Sequence, residues 1–309
     1  QLPVKEQKAN EIDEDTKKNM LKMRPLLIPY SEKNIFQFLW PSYPISKQEE
    51  KYAASVLIKK GNYGPLDEKE KQTAIVLMKS TQITLGQAIS LRSTLLQQKA
   101  LFKHINIQSS SKILLKMYNS GHSVVEISKQ FDFPPMNTFR SILSEASLSK
   151  GLIKKCFKDP KEYFEDRECD ELLAAEAADL VAKADDAQNR KEGEAFEDLL
   201  ANWFQERGIR HVRQSELEKE QKKDFGSPVL TPDFLFLDHL VINGTKVTWM
   251  DCKAFYGANV GFTVKNMKKQ MARYINHWGS GAVLYLHGFS ESLHIHDCVF
   301  LDAKGALDV

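Results

Sequence analysis

Two periods of apolar residues divide this chain. Positions 48–60, 67–79 and 85–104 repeat apolar residues every three or four places with little β-branched alternation, which predicts three helices. The first 47 residues show no readable period. A helix through Ile113, Leu114 and Met117 stops at Asn119-Ser120-Gly121. Ser123 and Glu126 then have the spacing of a capping box, each side chain accepting from the other residue's exposed backbone N–H, and they open a short helix with Ile127 and Phe131 on its apolar face. Beyond Asp132-Phe133-Pro134 a further amphipathic helix runs through Met136, Phe139, Ile142 and Leu143. From Gly193 the predicted order becomes helix, strand, strand, helix, strand, strand, a mixed α/β domain.

Within that last part, the helix at 194–207 carries Phe196, Leu199, Leu200, Trp203 and Phe204 as its buried stripe, with Glu197 at the border of it. Thr231-Pro232-Asp233 leads into Phe234, Leu235, Phe236 and Leu237, a buried strand in which Pro232 is tolerated because it stands at the start. Asn243-Gly244 marks a tight hairpin, and the returning strand ends at Asp251-Cys252-Lys253. Alternation puts Asp251 and Lys253 on one face and Met250 and Cys252 on the other.

Charge modifies this picture. The formal net charge of +2 hides an acidic stretch, 159–186, with eleven acids against three bases, and a basic stretch, 99–158, with ten bases against three acids. The basic stretch is compatible with a phosphate backbone and equally with a solvated helical surface. The acidic stretch reads as a helical connector. Short helix, turn and amphipathic helix at 109–149 make a helix-turn-helix candidate, with Asn137, Thr138, Arg140 and Ser141 on the outer face of the second helix. Simple packing of a three-helix bundle gives the same spacing. The four cysteines lie far apart, so neither a disulfide framework nor a zinc ribbon is suggested and a reducing compartment fits. The apolar runs are too short to cross a bilayer, and a soluble, non-secreted protein is expected. His294, His296 and Cys298 alternate on a late strand but lack a fourth ligand for zinc.

The chemistry lies in Glu197, Asp233, Asp251 and Lys253. Carboxylates held close together bind a hard divalent cation, which activates water and neutralises charge on a phosphodiester, while a lysine steadies the attacking or phosphoryl oxygens. An Asp and a Lys at a strand end can instead be an exposed ion pair. On α-helical spacing, Gln270 and Tyr274 share a face with Met267, Met271 and Trp278, and Lys265, Lys268, Lys269 and Arg273 lie on the other side as phosphate ligands or solvated positions.

Gly193, Glu197, Pro232-Asp233 and Asp251-Cys252-Lys253 resemble the PD-(D/E)xK nuclease superfamily, which includes archaeal Holliday-junction resolvases, and Gln270 with Tyr274 is similar to the Q-x-x-x-Y element of its recombination-type branch. Thr231-Pro232-Asp233-Phe234, the run Asp251-Cys252-Lys253-Ala254-Phe255-Tyr256-Gly257 and the segment 278–289 resemble the codanin-interacting nuclease family, whose defining segment is named for its T-P-D. The resemblance is firm over 193–289 and weaker over 109–153. It implies a restriction-endonuclease-like α/β core, Glu197, Asp233 and Asp251 with the Cys252 carbonyl as ligands of Mg2+ (or Mn2+), and Lys253 as electrostatic catalyst with Gln270 and Tyr274 in support. It also implies a nuclear or nucleocytoplasmic protein, nucleic acid as substrate with DNA favoured over RNA, and a codanin-like partner; pairing into a homodimer is left open. Some members have Glu where this chain has Asp251. The expected organisation is a helical region over 1–105, a helix-turn-helix-like module over 106–157, the acidic connector over 158–190 and the nuclease domain over 191–309. The rival reading keeps the fold as an inactive interaction module that binds a codanin-type partner.

Overall fold

The computed structural model describes residues 35–81, 83–181 and 187–303. The described residues divide into two compact units, one within 45–190 and the other made of those in 35–44 and 191–303.

The first unit is helical: α1 (Lys47–Leu57), α2 (Glu68–Met78), α3 (Leu85–Ser109), α4 (Ser111–Asn119), α5 (Val124–Phe131), α6 (Pro135–Glu145), α7 (Lys150–Lys158), α8 (Pro160–Tyr163) and α9 (Asp166–Ala177). Capping boxes start α1, α2, α3 and α5, the last through Ser123 and Glu126 as the sequence predicts. Leu114, Ile127, Phe133, Phe139 and Ile142 form its core. The acidic stretch differs from expectation. It is no free connector: Leu172 and Ala175 of α9 are buried in that core. Glu171 accepts from the Val124 N–H at 2.7 Å and Asp179 from the Met136 N–H at 2.9 Å. Both carboxylates therefore sit on the exposed donors at the starts of α5 and α6, where the helix dipole favours negative charge. Asp132, with φ of 53°, closes α5; it accepts from the Gly61 N–H and pairs with Lys99 and Lys103 at 2.6 and 2.5 Å.

Among the described residues the second unit holds six strands, β1 (Ile35–Phe38), β2 (His211–Arg213), β3 (Phe234–Ile242), β4 (Thr245–Lys253), β5 (Gly281–Tyr285) and β6 (Cys298–Asp302), with helices α10 (Ala187–Glu206), α11 (Gln214–Phe225) and α12 (Gly261–Trp278). The sheet is mixed, in the order β1-β3-β4-β5-β6. β3 and β4 form the antiparallel hairpin, while β4-β5 and β5-β6 run parallel. The outer edge of β3 is shared, β2 pairing antiparallel with its first residues and β1 parallel with its last. Asn243 and Gly244 turn the hairpin with φ of 50° and 78°, as the sequence predicts. The Asn243 side chain also accepts from the Trp40 N–H and donates to the Trp40 carbonyl, at 2.8 and 2.9 Å.

Strand β1 and Trp40 thus complete the sheet, so a helical region over 1–105 does not describe these residues. Isolated from its partners, a four-residue strand has too little pattern to be read. Helix α11 and strand β2 were likewise absent from the expected element order. His294 and His296 lie in a loop before β6, both exposed, and not on a strand.

Two apolar layers cover the sheet. On one face Phe234, Phe236, Met250, Ala282 and Leu284 pack under Phe196, Leu200 and Phe204 of α10. Leu199, expected in that stripe, is 50% exposed, because the helix touches the sheet along a narrower line than its apolar sequence allows. On the other face Leu235, Trp249, Val283 and Tyr285 pack under Leu217 of α11 and Met271, Tyr274 and Trp278 of α12. The result is an α/β core of helix, sheet and helices.

Gly281 shows how tightly the second face is filled. A Cβ there would lie inside the van der Waals envelope of the fully buried Trp249 indole. Gly281→Ala should therefore cost about 1–3 kcal/mol through overpacking, read as a lower urea midpoint at unchanged slope; an unaltered midpoint would show that the indole moves freely.

Candidate active site

The chain places its acids where β3 begins and β4 ends. Phe234 pairs with Met250, and continuing this antiparallel register sets Asp233 opposite Asp251. Asp251 and Lys253 share the face of Trp249, Val283 and Tyr285, as alternation requires. Lys253 Nζ is 2.5 Å from Asp251 Oδ2, an ion pair with Asp251 almost wholly buried. That oxygen nonetheless accepts no hydrogen bond of good geometry. The other Asp251 oxygen accepts from Gln270 Nε2 at 3.2 Å, and the same amide reaches the Tyr274 hydroxyl at 3.2 Å. Tyr274 is fixed in turn against Trp249, ring centroids 5.2 Å apart and edge to face. The supporting pair expected on α12 therefore stands against the acid.

Asp233 is buried, and its Oδ2 accepts from the Cys252 backbone N–H at 2.5 Å. Burial and the neighbouring Asp251 charge hold its carboxyl well above the ordinary carboxylate range, the Cys252 N–H only partly offsetting them. Burial likewise pushes the Cys252 thiol well up, with Asp233, Asp251 and Glu197 adding to it. Lys253 is raised as well, but in its case this keeps the charge: burial opposes the ammonium, yet Asp251 and Asp233 hold it above its usual range.

Glu197 arrives from α10 in the opposite helical layer. Gly193, one turn before it, lies beside Ala254 past the end of β4; a Cβ there would meet the Ala254 methyl at 3.7 Å, an ordinary contact. Burial raises the Glu197 carboxyl, Arg213 lowers it, and Asp251 adds to the rise. Arg213 Nη2 stands 3.7 Å from Glu197, while its Nη1 is 2.5 Å from Asp198. Sequence reasoning missed Arg213; it lies at the end of a three-residue strand, too short to give a period. Among the described residues no three carboxylate, imidazole or thiol groups already stand together as a metal cage. The acids are neighbours in charge, but one leans on an arginine and another on a lysine.

Of the expected nucleic-acid contacts, Lys265, Lys268 and Lys269 are exposed on α12. Arg273 is half-buried and donates to the Val229 carbonyl at 2.5 Å, so part of its guanidinium is already used. In the helical unit Arg140 is exposed, bonded to Asn137 Oδ1 at 2.9 Å and lying 5.2 Å over the Phe157 ring. Asn137, Arg140, Ser141, Lys150 and Lys154 border a cleft of about 800 Å³. Thr138 is a correction: it is fully buried and its hydroxyl donates to the Pro134 carbonyl at 3.0 Å, so it cannot reach a ligand. With 3.6 residues per turn it shares the inward side with Phe139 and Ile142. A second cleft, about 250 Å³, opens beside Lys253 and Gln270. It is the smaller of the two, yet the buried, charge-strained groups that mark a reactive site border this one.

Residues 165–303 match the model of a family described as "Protein of unknown function TPD sequence-motif", which supports a TPD domain in this part of the chain. An uncharacterized protein of Acanthamoeba polyphaga mimivirus is similar, at 26% identity over 113 residues, 35% of this chain. The chain spans 39% of the length of that relative. No solved structure matches.

The electrostatics can be checked without a substrate. A carboxyl whose folded pKa is raised binds more protons in the folded state, so its contribution falls as pH rises from about 3.9, its unfolded value. Asp233→Asn keeps an acceptor for the Cys252 N–H and removes that charge. In metal-free buffer it should stabilise the fold at pH 7 by on the order of 1 kcal/mol or more and flatten the decline in stability between pH 4 and neutrality, as followed by denaturant titration across pH; a parent-like profile would show that Asp233 is not strained.

Proposed function

We propose that the TPD-motif part of this chain is a metal-dependent nuclease with a restriction-endonuclease-like fold, hydrolysing phosphodiester bonds in nucleic acid, DNA in the first place. One observation carries the reading: a half-buried lysine and a buried aspartate 2.5 Å apart at the end of β4, with a second buried aspartate whose carboxyl is raised by burial and by the first. Such repulsion is tolerable chiefly in the presence of a cation.

The donor chemistry fits Mg2+ or Mn2+. All three acids offer hard oxygen, and the buried Asp251 Oδ2 has the Lys253 ammonium as its close partner. Glu197, Asp233 and Asp251 would hold the ion, with the Cys252 carbonyl as a further ligand; the ion supplies water activation and charge neutralisation. Lys253 would steady the attacking oxygen or the phosphoryl oxygens, held at the strand end by Asp251. Gln270 fixes the Asp251 carboxylate and Tyr274 fixes Gln270, so both are positioning residues. Lys265, Lys268 and Lys269 would contact phosphates. In the helical unit, α5 and α6 would act as a helix-turn-helix with Asn137 and Arg140 toward DNA. A nuclear location and a codanin-type partner belong to the same proposal, through the resemblance of the motifs.

A second reading has one observation in its favour: Arg213 competes for Glu197, standing 3.7 Å from its carboxylate. In it the domain is an inactive module whose task is to bind a codanin-type partner.

The two readings separate experimentally. As an enzyme, the protein should cut labelled DNA or RNA in Mg2+ or Mn2+, and Asp251→Ala and Lys253→Ala should each lower the rate by roughly 100-fold or more with the fold intact; parent-like cleavage by either variant would end the catalytic assignment. Millimolar Mg2+ or Mn2+ should also raise the Tm of the parent but not of Asp233→Ala. No shift in either protein would favour the interaction module.

A further inference from the structure

The cleft beside Lys253 has walls that the hydrolytic chemistry does not require. Phe255, two residues beyond the lysine, is 46% exposed, an aromatic ring left half in water at the mouth. Its ring stands edge to face with the buried Tyr285 at 6.2 Å. Phe262 and Met267 of α12 line the cleft as well. The polar edge belongs to Asn266, which offers an amide donor and acceptor, and to Thr263, whose hydroxyl donates to the Val260 carbonyl at 2.8 Å and keeps its oxygen free to accept.

This wall is held in place. The Gly257 N–H donates to the Gly288 carbonyl and the Ser290 N–H to the Gly257 carbonyl, both at 2.9 Å, tying the loop after β4 to the loop after β5. A Cβ at position 257 would stand 2.7 Å from the Tyr285 ring and 2.8 Å from the Phe289 side chain, so the backbone lies flush on them. The cleft is therefore preformed, with an aromatic side, a hydrogen-bonding side and a cation at one end.

We propose that this cleft seats one unpaired nucleobase, so that the substrate class is nucleic acid with an unpaired nucleotide next to the scissile phosphate. The identity of that phosphate rests on the nuclease reading; the base seat does not. Size decides the occupant. At about 250 Å³ the cleft falls below the roughly 300 Å³ where drug-sized ligand pockets begin, so it takes one ring system and not a duplex. A base within a duplex is stacked on both faces and cannot enter; an unpaired one can, stacking on an aromatic ring and presenting its edge to polar groups. The charge is complementary too. Helix α12 carries four cations and no acid, and by helical spacing Lys269 and Arg273 flank the arc that lines the cleft while Lys265 and Lys268 lie further round, so a phosphate chain passing over the helix from the seat meets positive charge.

The test uses the full chain and fluorescence anisotropy in EDTA, where cleavage cannot intervene. The probes are a single-stranded oligonucleotide, a duplex with a one-nucleotide bulge and a fully paired duplex, in DNA and RNA arms. Expected is tighter binding of the two unpaired probes, by roughly tenfold or more, lost in Phe255→Ala, weakened in Asn266→Ala and kept in Phe255→Trp. Equal affinity for the paired duplex, an unchanged preference in Phe255→Ala, or no binding at all would overturn the proposal. A Phe255-dependent preference in a protein that cuts nothing with Mg2+ or Mn2+ would keep the base seat and remove the hydrolase. Metal-dependent cutting of paired and unpaired probes alike, indifferent to Phe255→Ala, would do the reverse.

Discussion

Two carboxylates face each other across paired antiparallel strands in a place that water hardly reaches, and the α/β unit is arranged around that repulsion. Burying a carboxylate costs free energy, and a second carboxylate beside it adds repulsion. The Cys252 N–H at Asp233, the Lys253 ammonium at Asp251 and the Gln270 amide on its other oxygen each reduce this cost. None of them fully removes it: burial first and the Asp251 charge second still hold the Asp233 carboxyl above its ordinary range.

The rest of the unit gives that strained group a rigid frame. Trp249 fills the space above Gly281 and supports Tyr274, which supports Gln270, so packing two residues before Asp251 controls the orientation of its carboxylate. Interiors as dense as organic crystals transmit such displacements. On the opposite face α10 is laid on the sheet by Phe196, Leu200 and Phe204, and Glu197 comes to the strand end with it. The helical unit follows the same rule by different means. Its acids are satisfied by helix starts and by lysines, as with Glu171, Asp179 and Asp132, and so support structure instead of straining it.

Legibility followed range. The capping box at Ser123 and Glu126 and the Asn243-Gly244 turn are satisfied by residues three apart or adjacent, so the linear order already contains them. Asp251 and Lys253 on one face follow from the two-residue pleat. Thr138 faces inward, against the outer-face expectation, because the outward arc of the eleven-residue helix α6 is narrow; its hydroxyl serves the helix itself. Glu171 and Asp179 carry no local sign of their role within an acidic stretch that reads as a connector, because the N–H groups they satisfy lie more than forty residues away. Strand β1 was invisible because its meaning comes from β3, two hundred positions on.

The sequence by itself determined the kinds of element, the face each side chain takes and the donor types available at the strand end, since these depend on backbone period and residue chemistry. Only the tertiary structure decided that Asp233 lies opposite Asp251, that Arg213 draws on Glu197, and that the loop carrying Phe255 closes a base-sized cleft over Tyr285. Those relations depend on strand register and on burial, and both arise from contacts between segments distant in the chain, which no local period encodes.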